Sequence, residues 1–239
     1  MKFQLENILM GHQADFFQVV PFDPASEKIS SLDISKNNTA FDETVYRSTD
    51  TFSAYINEKL AAQQAKYLIG GYREHRVMYS RSSLFDKNLS TDESKMDEPR
   101  CIHLGTDIWG VVGTKIYAPL GGMVQSFAFN NNYGDYGVTI ILQHQLKTIN
   151  FYTLYGHLSI KDIAHLRTGQ FISRGENFAH FGPPEENGNW PAHLHFQLIT
   201  DLGNYEGDYP GVCKLSEVEK YIQNCPDPDL VLKMNRYIK

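Results

Sequence analysis

From Cys101 onward the chain reads as short alternating segments cut by Gly, Pro and Asn: TKIYAPLGGMVQSF, YGVTIILQH, NFYTLYGHLS, GQFISRGENFAHFG and HLHFQLI. Alternation gives a segment one apolar and one polar face, and many such segments separated by turns build antiparallel sheet. The expected fold class is therefore mainly β, with an antiparallel β-sheet core. Within it, APLGG is expected to be a hairpin turn between Tyr117 and Met123, its glycines available for positive φ.

The chain before that point has a different texture. In DTFSAYINEKLAAQQAKYLIGG, Phe52, Tyr55, Ile56, Leu60 and Tyr67 recur at helical spacing, which predicts one amphipathic helix over about 51–69. Asp50 or Thr51 is placed to cap its start and Gly70–Gly71 to end it. The chain then divides into a partly helical N-terminal region, 1–96, and a β domain with a C-terminal extension, 97–239, α+β overall. Too few alternating segments precede residue 97 to extend the sheet, so the N-terminal region is expected to pack on the core and narrow one end of its cleft. GGYREHRVMYSRSSLF reads as a packed edge with solvated charges, and MYSRSSLFDKNLSTDESKMDEPR as a surface connection.

Charge and hydropathy exclude some partners. Twenty-eight acidic against 22 basic residues leave a net charge of −6 with no basic block, which argues against a nucleic-acid partner. No segment approaches 18 apolar residues, so no membrane span is expected. Glu6 and Asn7 interrupt MKFQLENILMGHQADFF where an export leader needs its apolar stretch, which points to the cytoplasm and leaves export open. Cys101, Cys213 and Cys225 form no CxxC pair; reduced thiols are the simpler reading, with a Cys213–Cys225 bridge left open.

The chemistry lies among the histidines. On an extended strand His193, His195 and Gln197 share one face, and Leu194, Phe196 and Leu198 the other. Two imidazoles opposite an apolar core face must look into a cleft or onto a metal. IHLGTDIW adds His103 and Asp107, and LYGHLS adds His157. Imidazoles and one carboxylate are the donor set of a hydrolytic zinc site, where three protein ligands leave a fourth position for water. No HExxH is present, so the general base would be a histidine outside the ligand set. His12, His75, His165 and His180 read as surface or structural groups, and His144, ending VTIILQH, as a candidate partner behind the site.

The succession HLGTD, GTKIYAPLGGMV, YTLYGHLS and HLHFQL, with the spaced glycines of LRTGQFISRGENFAHFG, resembles the lysostaphin-type zinc metallopeptidases, the LytM-like peptidoglycan endopeptidases with a duplicated hybrid motif. The resemblance covers residues 100 to about 200. It implies one Zn2+ per chain held by His103, Asp107 and His195, with His157 and His193 as catalytic histidines that activate water or stabilise the oxyanion. It implies a zinc-dependent endopeptidase acting on a peptide or peptidoglycan-like substrate, and small residues at the scissile bond, on the expectation that an imidazole flanks each side of the metal. Latent members fill the open zinc position with an N-terminal asparagine, a role expected here of Asn37 or Asn38. FGPPEENGNWP, with Glu185 and Glu186, is longer and stiffer than the family's loop before HxH, which changes the cleft border.

Two rival readings differ in class. A lipoyl-type carrier shares the hairpin design, but APLGG offers no lysine at its tip. A catalytically silent zinc-containing peptide-binding module would keep the fold without hydrolysis, and bound zinc with no cleavage of any peptide separates it from the enzyme.

Overall fold

The computed structural model describes residues 2–85 and 98–238. The expected boundary at 96/97 and most of the surface connection lie outside the described residues.

Among the described residues, twelve strands form one large sheet and two small ones. They are β1 Ile29–Leu32, β2 Tyr67–Gly70, β3 Arg100–His103, β4 Thr106–Trp109, β5 Lys115–Tyr117, β6 Gly122–Asn130, β7 Gly137–Leu146, β8 Ile149–Leu158, β9 Phe171–Ile172, β10 Asn177–His180, β11 His193–Ile199 and β12 Val212–Lys214. The large sheet runs β1-β2-β4-β11-β8-β7-β6-β9, and every pair in it is antiparallel except β1–β2. β10 pairs with β5 and β12 with β3. The mainly β, antiparallel class read from the alternation is borne out.

The two faces of the large sheet follow that alternation. Ile140, Leu142, Tyr155, Leu194, Phe196 and Leu198 enter one core, closed by Leu5 and Leu9 of α1 (Lys2–Gly11) and by residues near the C-terminus, among them Val231 and Met234. Ile141, Leu154 and Ile199 point to the other side and pack with Ile102, Leu202 and Cys213. His193, His195 and Gln197 share that second side, beneath the loops that follow β11 and precede β7.

Three expectations are corrected. The N-terminal region does extend the sheet: β2 lies antiparallel to β4, with Gly70 opposite Asp107, and β1 adds a parallel strand outside it. A parallel pair needs a crossover, and the chain between them supplies it through α2 (Glu43–Tyr46) and α3 (Thr49–Gln63). The helix therefore ends six residues earlier than its pattern reached. Ser48, not Asp50 or Thr51, caps it by accepting from the Thr51 N–H, and Gln64 closes it in the left-handed region. Finally, APLGG is no hairpin, because β5 pairs with β10 whereas β6 pairs with β7 and β9. It is a corner at which the chain changes sheets. Gly122 is needed there for close approach, since a Cβ would lie 2.7 Å from the His144 ring.

No disulfide joins the three cysteines. Among the described residues no helix is long and apolar enough to cross a membrane.

Candidate metal centre

β4 and β11 pair with His195 opposite Asp107, and β3 ends at His103 just before β4 begins. This register brings three donor atoms together. His103 Nε2 lies 2.9 Å from His195 Nδ1 and 3.3 Å from Asp107 Oδ1, and His195 Nδ1 lies 3.1 Å from the same oxygen. All three residues are buried. Gly105 leaves the space: a Cβ there would sit 2.5 Å from His195 Cε1.

The outer bonds fix which nitrogens are bare. His103 Nδ1 donates to the Gly71 carbonyl at 3.0 Å, so Nε2 carries the lone pair. His195 Nε2 donates to Gln197 Oε1 at 2.9 Å, so Nδ1 carries it. Gln197 is held in that sense because its amide donates to the Pro210 carbonyl and to Cys225 Sγ. Two imidazole lone pairs and a carboxylate oxygen thus converge in a buried space, an arrangement that a cation relieves. Zinc–nitrogen bonds of about 2.0–2.1 Å at tetrahedral angles separate neighbouring ligands by about 3.3 Å, close to the spacings here. The residues fit zinc.

Electrostatics keep the donors ready. Burial, with the Arg76 charge adding to it, lowers His103 to about 4. Burial works to raise the Asp107 carboxyl, but His103 and Arg76 outweigh it and hold the group well below the usual carboxylate range. Arg76 Nη1 donates to Asp107 Oδ2 at 2.5 Å, and its Nε to Glu74 Oε2 at 2.6 Å.

His157 and His193 stand beside this triad. Their ring centroids are 4.0 Å apart, so the two imidazoles lie side by side and do not flank the triad on opposite sides as expected. His193 Nδ1 donates to the Pro191 carbonyl at 2.7 Å and its ring stacks on Trp109 at 3.9 Å. His157 Nδ1 donates to the Asn187 carbonyl at 2.8 Å. His157 takes φ +65°, a region seldom occupied by residues other than glycine, and its N–H is held by the Tyr136 carbonyl at 2.9 Å. Burial lowers His193 to about 4, and burial with the adjacent His193 carries His157 well below its ordinary value. Both rings are neutral, with Nε2 bare, on the wall of a cleft of about 310 Å³.

All five residues singled out in the sequence meet here. Others expected nearby do not. His144 lies toward the far end of β7, bonded to Thr153 Oγ1 and the Gly121 carbonyl. Asn38 bonds to the Asp33 carbonyl and to the Ala40 N–H in an exposed turn, and neither it nor Asn37 lines the cleft. Conversely, GGYREHRVMYSRSSLF is not a solvated edge: Arg76 is buried, and Met78, Tyr79 and Phe85 line the cleft. FGPPEENGNWP holds His157 through Asn187, and Glu186 accepts from Ser159 Oγ and the Ile160 N–H. Tyr136, whose hydroxyl lies 3.4 Å from His195 Nε2, is a further residue of the site that no sequence motif marks. The aromatic residues of NNYGDYG carried the only signal for it.

Comparison with known proteins agrees with the motifs. Residues 101–206 match the model of the family described as Peptidase family M23. An L-Ala–D-Glu endopeptidase of Bacillus subtilis (strain 168) is 28% identical over 127 residues, which cover 51% of this chain and 37% of that protein. The chain therefore spans well under half the length of this curated relative. Among solved structures, the catalytic domain of the antimicrobial peptidase lysostaphin from Staphylococcus simulans is 17% identical, covering 70% of this chain and 97% of that chain at a TM-score of 0.38. A zinc containing peptidase from Vibrio cholerae is 23% identical, covering 46% of this chain and 30% of that chain at a TM-score of 0.34. Residues 101–206 are thus similar to the domains of peptidase family M23.

Proposed function

We propose that this protein is a zinc-dependent endopeptidase that hydrolyses amide bonds in peptidoglycan-type peptides. The observation that carries the reading is the buried triangle of His103 Nε2, Asp107 Oδ1 and His195 Nδ1, with both outer nitrogens already committed as donors. His103, Asp107 and His195 would hold one zinc ion, which supplies Lewis acidity toward the scissile carbonyl and lowers the pKa of water to about 7.

The remaining chemistry belongs to His157 and His193. Each has its Nδ1–H tied to a carbonyl, so each offers a bare Nε2 to the cleft. One Nε2 takes a proton from the attacking water and returns it to the leaving amine as the C–N bond breaks. Two rings 4.0 Å apart do not both carry charge, so one proton resides on the pair at a time. Once protonated, that ring is also an N–H donor toward the developing oxyanion.

The substrate reading rests on the cleft and on the B. subtilis relative. A cleft of about 310 Å³ is at the small end of ligand sites, so extended peptides with small residues at the scissile bond fit it. Tyr79, Phe85, Trp190 and Tyr209 offer flat apolar walls to such a chain. The test is hydrolysis of muropeptides and of Gly- or Ala-rich peptides before chelation, after it, and after zinc is restored. Cleavage that stops with chelation and returns with zinc supports the reading. Zinc bound at the triad without cleavage of any peptide would make the protein a silent binding module.

A further inference from the structure

Two of the three candidate ligands take their outer hydrogen bonds from one stretch of the N-terminal region, outside residues 101–206. The Gly71 carbonyl holds His103 Nδ1, and Arg76 Nη1 holds Asp107 Oδ2. The stretch is fixed in place by β2, where Gly70 stands opposite Asp107, and by the Arg73 N–H bonded to the His103 carbonyl. We infer that residues 71–76 are part of the metal centre, with Arg76 as the residue that positions Asp107 to offer a single oxygen. The inference rests on the zinc reading above.

Two effects of Arg76 oppose each other. Its positive charge repels a dication, but its hydrogen bond keeps Oδ1 in the triangle. Glu74 decides the balance. Its carboxylate lies 2.6 Å from Arg76 Nε, so the two charges largely cancel and the positioning effect is left. Asp107 is 2% exposed, so without the guanidinium its second oxygen must turn toward another donor or toward the metal itself. Either movement changes how the carboxylate meets the ion.

The experiment measures zinc affinity by competition with a chelator and records the visible spectrum after cobalt(II) substitution, on full-length wild type, Arg76→Met, Arg76→Lys and Glu74→Gln. Arg76→Met is expected to lose about 10–100-fold in affinity, the usual effect of removing a partner behind a ligand. Its cobalt bands should weaken as Asp107 turns to chelate through both oxygens. Arg76→Lys, which keeps a donor and a charge, should recover part of both, and Glu74→Gln should shift affinity the same way by less. If Arg76→Met does not fold, the Lys and Gln variants carry the same comparison. Folded variants with wild-type affinity and unchanged spectra would overturn the role of Arg76 and leave the zinc reading standing. A wild type that takes up no zinc would overturn both.

Discussion

Gly105 is where one added methyl group does most damage. A Cβ would lie 2.5 Å from His195 Cε1 and 2.8 Å from the Phe196 carbonyl, and backbone cannot yield as a flexible side chain does. Gly105→Ala is expected to displace His195, lower bound zinc well below one per chain, and cost about 1–3 kcal/mol of stability. Metal analysis beside a denaturant melt checks it. The five residues of the centre were legible because each sits in a short motif on or beside a strand, where alternation says which way a side chain points. Arg76 was not. It lies 31 residues from Asp107, in a stretch of charged residues that usually stay in water, and only the folded pairing of β2 with β4 buries it. Asn187 was equally hidden, because what holds His157 is its backbone carbonyl, a group every residue carries.

Helix α3 connects the N-terminal region to the chemistry through aromatic rings. Phe52 is fully buried and lies 5.4 Å from Trp109 and 6.4 Å from Trp190, and Trp109 in turn stacks on His193. Phe52→Ala should destabilise the protein by about 3–5 kcal/mol. Turnover should fall more than zinc content, since the loosened neighbour is a proposed catalytic ring and not a ligand. Wild-type stability in urea, or zinc lost in step with turnover, would contradict this. At this scale the long strands β6, β7, β8 and β11 were legible from alternation, and α3 from its period. β2 was not: Tyr67–Gly70 is buried at every position, and a four-residue apolar run carries no period that separates a strand from a helix end. The APLGG corner is not legible for a related reason, because glycines that serve close approach look the same in sequence as glycines that serve a turn.

The whole molecule couples stability to pH through buried neutral histidines. His144, away from the site, is lowered by burial to about 4, against about 6.5 unfolded. Between those values the unfolded chain binds the extra proton, so stability is fully present above about pH 6.5 and falls as pH drops toward 4. For this one group the loss is roughly 3 kcal/mol across the window. His144→Asn should flatten the pH dependence of unfolding by about that amount while leaving zinc content and turnover near wild type. An equally steep profile in the variant would show that His144 is not the group responsible.

The most direct measurement of the central claim is zinc content beside turnover for five single variants. His103→Ala, Asp107→Ala and His195→Ala should each lose both, because two donors hold the ion poorly. His157→Ala and His193→Ala should keep zinc near one per chain while turnover falls about 10²–10⁴-fold, the usual contribution of a positioned acid or base. Zinc lost from His193→Ala and retained by His195→Ala would contradict the account.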